Sequence, residues 1–171
     1  MENKEILCRL FYIDAMFGVY TNSKDFIKED IEKELTKIKK ESEDLLIDDI
    51  KKRILKINPN NESWYKRFEN KNSTKKIIKC ENLIIEQAHD NLDNLFNSGG
   101  KKIVDFLREN RNNNEVLRRL NFILENFEII NKFLPISVKQ TNNNFEIMSG
   151  NHRAMAYIEK GFEKIEVLVI K

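Results

Sequence analysis

The apolar period of this chain changes near residue 133, and that change restricts its fold more than any other feature of the sequence. Over residues 115–132, Val116, Leu117, Leu120, Ile123, Leu124, Phe127 and Ile130 recur at the spacing of an amphipathic helix. The period then falls to two. Leu134-Pro135-Ile136-Ser137-Val138 is strand-like, residues 140–144 form a turn, and Asn144-Phe145-Glu146-Ile147-Met148 alternates as a second strand. Gly150 punctuates it, a short helix over 153–160 ends at Gly161, and Ile165-Glu166-Val167-Leu168-Val169-Ile170 is a third strand of high β-propensity. Both patterns must bury their apolar side in a shared core, which predicts an α+β fold: a helical N-terminal region packed on a small mixed β-sheet.

The rest of the chain is predicted to be largely helical. Residues 4–20 carry a broad stripe through Ile6, Leu7, Leu10, Phe11, Ile13, Met16 and Phe17. Gly18 and Thr21-Asn22-Ser23 interrupt it, with Ser23 as the expected N-cap of one long polar helix over residues 25–57. Asn58-Pro59-Asn60-Asn61 is a breaker, and Arg53-Ile54-Leu55-Lys56-Ile57 before it fits either a helix end or a separate strand. Trp64, Tyr65 and Phe68 are expected to anchor a local cluster, and residues 77–96 and 101–110 to be helices. Asn97-Ser98-Gly99-Gly100 lies between those two segments; it lacks the GxxxxGK[ST] spacing and is expected to be a helix cap and turn. The domain expectation is a mostly helical region over 1–110 and a strand–turn–helix core over 111–171, the two forming one integrated domain if a strand lies near 53–57.

Composition narrows the function classes. A hydrophobic share of 40% supports a sizeable core, and 34% charged residues sum to a net charge of only +2. That balance disfavours a protein devoted to long nucleic acid, whose basic face usually shows in the total. Cys8 and Cys80 form neither a disulfide framework nor a zinc-like cluster. No apolar run approaches the roughly 20 residues of a membrane span, and Glu2 and Glu5 do not suit a signal peptide. The expectation is a cytoplasmic protein without a membrane partner.

The chemistry concentrates at Ser149-Gly150-Asn151-His152-Arg153. The first amides of a helix have no internal acceptor and lie at the positive end of its dipole. Glycine lets a phosphate approach the backbone, and Arg153 one turn in offers a bidentate donor. Asn151, His152 and the Ser149 hydroxyl add polar groups at the same mouth, so a phosphate chain can be held without a basic protein. The same residues carry a resemblance. Pro135-Ile136-Ser137-Val138, the strand 145–148, Ser149-Gly150-Asn151-His152-Arg153, Ala156, Gly161 and Ile165-Glu166-Val167 resemble the ParB/sulfiredoxin superfamily over about the last third of the chain. In that family the Gly-x-His/Arg-Arg turn holds nucleotide phosphates: CTP in ParB partition proteins, ATP in sulfiredoxins and the related free serine kinases.

The resemblance implies a ParB/sulfiredoxin type of sheet, a phosphate-binding role for Gly150, Asn151, His152 and Arg153, and ATP or CTP with Mg²⁺ as ligand. Phosphoryl transfer or NTP hydrolysis is the implied reaction, with His152 as the candidate catalytic residue. Two departures limit it. Asn151 stands where sulfiredoxins carry their nucleophilic cysteine, which excludes sulfinic-acid reduction by that route. The chain stops at Lys171 without the helix-turn-helix of partition proteins, so no partition role is expected. The resemblance implies that the family's first strand and Asn-Pro element fall at residues 54–57 with Asn58-Pro59, although the segment that follows is longer than the family's usual one. A kinase or NTPase also needs a carboxylate, and none is placed by spacing: Glu146 shares a strand face with Met148, while His89 and Asp90 have an ordinary helical context. Two other readings stand beside the enzyme. One is a non-enzymatic regulator or inhibitor, of a size common among phage and mobile-element products, that binds a protein through the helical region. The other is a ParB-like nucleic-acid-binding protein or nuclease using His152 as general base.

Overall fold

Eight α-helices and five strands make up residues 3–23, 26–85 and 100–171, which the computed structural model describes. The fold is α+β, and the chain divides into two compact units, Met1–Ser73 with Lys171 and Thr74–Ile170.

In the first unit α1 (Asn3–Thr21) packs against α2 (Ile31–Asp44), α3 (Ile47–Ile57) and α4 (Asn61–Phe68). Leu7, Tyr12, Leu35, Ile50, Ile54 and Tyr65 are fully buried in its core. The single helix expected over 25–57 is two helices, because Leu45 and Leu46 adopt extended backbone between α2 and α3. A side chain from another helix stabilises that break. Arg9 of α1 donates to the carbonyls of Ser42 and, at 3.0 Å, Leu45, while its other Nη pairs with Glu5 at 3.0 Å. The orphan carbonyls at the end of α2 thus meet a cation. Ser23 does not cap a helix: its hydroxyl donates to the Tyr20 carbonyl at 2.8 Å and closes α1. Residues 53–57 form the last turns of α3, which removes the alternative of a strand there. Tyr65 and Phe68 are buried as expected. The Trp64 side chain lies outside the described residues, as do Lys24 and Asp25.

The second unit is built on a five-stranded mixed sheet in the order β1 (Ser73–Lys79), β5 (Lys164–Ile170), β3 (Ser137–Thr141), β4 (Asn144–Ser149), β2 (Leu83–Ile85). Residues 77–85, expected to begin a helix, instead end β1, make the 3-10 turn Cys80–Asn82 and form β2. Ile77, Ile78, Leu83, Ile84 and Ile85 satisfy either period over so short a run. The remainder of that expected helix, including His89, Asp90 and the turn 97–99, lies outside the described residues. The sheet must curl. Opposite edges of a flat five-stranded sheet are about 19 Å apart, yet the three residues Cys80–Asn82 join β1 to β2 and reach only about 14 Å. Lys76 of β1 accordingly lies 5.0 Å from the ring centre of Phe145 on β4.

The hairpin β3–β4 is antiparallel and turns at Asn142, whose φ is 54°. β3 runs parallel to β5, and β4 parallel to β2. A register shift between Ser137 and Val138 puts a bulge where β4 ends, the place where bulges often re-aim a chain. α8 (Asn151–Glu159) crosses from β4 to β5, and α5 (Ile103–Glu109) and α6 (Asn114–Glu125) pack on it. Ala154, Met155 and Ala156 are fully buried beneath them. The helix expected over 115–132 is broken into α6 and α7 (Phe127–Phe133) at Asn126, whose Nδ2 donates to the Phe122 carbonyl at 2.9 Å. α8 ends in a Schellman turn. Gly161 takes φ 81°, the Phe162 amide donates to the Tyr157 carbonyl at 3.0 Å, and the two rings meet at 5.3 Å. Among the described residues no helix is long and apolar enough to cross a membrane.

Candidate functional site

β4 delivers the chain to Gly150, which takes φ 107° and ψ 31° and stands as the N-cap of α8. That left-handed conformation strains any residue with a Cβ. Space requires glycine a second time: a Cβ there would lie 2.9 Å from Nε and 3.1 Å from Nη2 of Arg153, and 3.2 Å from Cγ1 of Ile136. The first internal bond of α8 runs from the Ala154 amide to the Gly150 carbonyl at 2.8 Å. The amides of Asn151, His152 and Arg153 therefore have no acceptor inside the helix, and no side chain caps it.

Arg153 has a different role from an outward-facing phosphate fork. It is 6% exposed; Nη1 donates to the Leu134 carbonyl at 3.1 Å and Nη2 to the Ser149 hydroxyl at 2.9 Å. A buried guanidinium requires acceptors. The carbonyl of Leu134 can serve because the ladder of β3 begins only at Ser137. Arg153 thereby ties the entry to β3, the exit of β4 and the first turn of α8 together, and contributes charge from beneath the turn.

The packing of α6 on α8 adds two residues that sequence reading missed, Arg118 and Arg119. Burial, followed by the fields of Arg119, Arg153 and Arg118, pushes the His152 imidazole down to about 4. His152 is thus neutral at physiological pH, and the site's formal charge comes from arginine. Arg119 is also paired with Glu115 at 3.2 Å. Along the sequence, Arg118-Arg119 looks like the solvated face of an amphipathic helix; only the α6–α8 contact brings it to the motif. Ser149, Gly150, Asn151, His152 and Arg153 all lie at this strand–helix junction. The Oδ1 of Asn151 is buried without a hydrogen-bond partner among the described residues.

This donor set suits an anion. Backbone amides without an internal acceptor and the positive end of a helix dipole lie at one strand–helix junction, with Arg119, Arg153 and Arg118 near enough to act on His152, features of the kind that favour phosphate. It does not suit a divalent cation held by the protein itself. Among the described residues no group of three His, Cys, Asp or Glu side chains is arranged for a metal, and Glu146 sits opposite Lys139 across the hairpin. No family model, curated protein or solved structure matches this chain.

Proposed function

We propose that the second unit binds a nucleotide through its phosphates at the start of α8, in a fold related to the ParB/sulfiredoxin superfamily. ATP or CTP is the ligand and phosphoryl transfer or hydrolysis the reaction. The observation that carries this reading is the left-handed Gly150 N-cap, which starts α8 without a side-chain cap, with Arg119, Arg153 and Arg118 among the charges that act on His152. The order strand–turn–strand–Gly–helix–strand, with β3 parallel to β5, supports the family relation. In this reading the amides of α8 bind phosphate oxygens and Arg119 neutralises them from α6. His152, uncharged at neutral pH, accepts the proton of the attacking hydroxyl or water.

Calorimetry with ATP, CTP, GTP and ADP is the direct test. Arg119→Ala is expected to weaken binding about tenfold, the loss of one charge-assisted contact. Arg119 is preferable to Arg153 for this purpose because it does not tie strands together. No heat with any of the four nucleotides would end the reading, and release of inorganic phosphate would separate hydrolysis from binding alone.

One observation favours a second reading, a protein-binding regulator. The helical unit carries an open groove of about 580 Å³ lined by Phe11, Ala15, Gly18, Val19, Ile57 and Asn61, among others, with Val19 44% and Ile57 39% exposed. Gly18 has open space where a Cβ would stand. In this reading Val19→Asp combined with Ile57→Asp removes a stoichiometric protein complex and leaves nucleotide affinity unchanged; a complex that survives both substitutions would refute it.

A further inference from the structure

We infer, independently of the nucleotide reading, that the open edge of β1 is a docking strand for another protein. It accepts an extended acidic segment as a further strand of the sheet, with an apolar side chain opposite Ile77 and carboxylates opposite Lys75 and Lys79. β1 is the outermost strand of the sheet, and its neighbour is β5. Two bonds fix the register of that pair. The Lys171 amide donates to the Asn72 carbonyl at 2.9 Å, and the Cys80 amide donates to the Glu163 carbonyl at 2.9 Å. Numbers rise along one strand as they fall along the other, so the pair is antiparallel, and both bonds fit one register without a bulge. In such a ladder alternate residues bond the neighbour, here the even-numbered positions of β1. The amides and carbonyls of Lys75, Ile77 and Lys79 therefore point away from β5, along the free edge.

The side chains give that edge its chemistry. Ile77 is 68% exposed, and an edge strand of 7 residues with a bare isoleucine is a template for pairing. Side chains alternate across a sheet, so Lys75 and Lys79 share the face of Ile77. Lys76 belongs to the other face, where it lies 5.0 Å from the ring centre of Phe145. A second copy of the chain suits this edge poorly. Two-fold antiparallel pairing about Ile77 sets Lys75 of each copy against Lys79 of the other, and like charges directly opposite destabilise a ladder. The same lysines favour a strand with acids at those positions: repulsion rejects one partner and attraction selects another. Both lysines already touch carboxylates, Lys75 with Glu166 at 2.8 Å and Lys79 with Glu81 at 3.2 Å, but all four side chains are more than half exposed. Exposed ion pairs contribute little, so the ammonium groups can turn to a docked strand at small cost.

The probe is a blocked heptapeptide, Thr-Glu-Thr-Val-Thr-Glu-Thr, titrated into the full chain and followed by NMR amide shifts and hydrogen exchange. Exchange is expected to slow at Lys75, Ile77 and Lys79, while the alternate amides, already bonded to β5, change little. The same peptide with Lys in place of Glu should bind about tenfold more weakly, because two cross-strand pairs turn from attraction to repulsion. Ile77→Pro removes an outward amide without breaking a bond of the sheet. It should abolish binding while circular dichroism shows the fold retained. Lys75→Glu combined with Lys79→Glu should reverse the preference, taking the lysine peptide over the glutamate one, an outcome that loss of folding cannot produce. Exchange at the three amides unmoved by millimolar glutamate peptide, or equal affinity for both peptides, would overturn the docking strand. So would dimerisation of the free chain that Ile77→Pro prevents, which would give the edge to a second copy.

Discussion

Gly150 illustrates how much one residue decides here. Its φ of 107° belongs to glycine, and the guanidinium of Arg153 occupies the space a Cβ would need. Gly150→Ala therefore combines backbone strain with displacement of a buried cation from the Leu134 carbonyl and the Ser149 hydroxyl. The expected loss is about 2–4 kcal/mol in a denaturant titration, accompanied by loss of the nucleotide binding proposed above. His152 makes a second prediction at this scale. Its folded titration is pushed down to about 4, against an unfolded value of about 6.5. Below pH 6.5 the unfolded chain takes up a proton that the folded chain refuses. Stability is thus complete above 6.5 and falls as pH drops toward 4, by a limit of about 3 kcal/mol. A urea midpoint followed from pH 7 to pH 4.5 should decline, and His152→Gln should flatten that part of the decline.

At the scale of elements, local capping and long-range capping coexist. α6 begins at a side-chain cap: the Oδ1 of Asn113 accepts from the amides of Glu115 at 3.0 Å and Val116 at 3.3 Å. Asn113→Ala is expected to cost about 1 kcal/mol, readable as a lower thermal midpoint. Because α6 carries Arg118 and Arg119, its first turn also supports the candidate site. α2 depends instead on Arg9, whose sequence separation from Ser42 hides the interaction from any local pattern. Arg9→Met keeps the apolar stem but removes the donors, leaving the last carbonyls of α2 short of partners. The expected cost is about 1–3 kcal/mol, with earlier amide exchange at 42–46 than elsewhere in α2. Protection equal to wild type in that stretch would refute this account of the helix break.

At the scale of the whole molecule, the candidate site draws all its residues from the unit Thr74–Ile170. Core damage in the other unit should therefore lower stability without altering the site. Leu35 is fully buried in α2, and Leu35→Ala is expected to cost about 3 kcal/mol. The proposed nucleotide binding, measured where the variant is folded, should equal that of wild type; a parallel loss of affinity would show that the site depends on both units.

What was legible in the sequence was whatever is encoded locally. The alternation of residues 144–148, the strand of 165–170, the stripe of 4–20 and the glycines at 150 and 161 all correspond to elements of the fold, because side-chain period and φ preference are properties of neighbouring residues. Short isoleucine-rich runs were not legible: residues 77–85 fit helix and strand alike, and pairing with β4 and β5 across the curled sheet settles them as β1 and β2. The division of 25–57 into two helices needed Arg9 from a distant turn. The site divides in the same way. Its glycine and helix start can be read along the chain, whereas the burial of Arg153 and the approach of Arg118 and Arg119 depend on packing between elements. Desolvation and electrostatic fields act through space, and only the tertiary structure says which charges come close together.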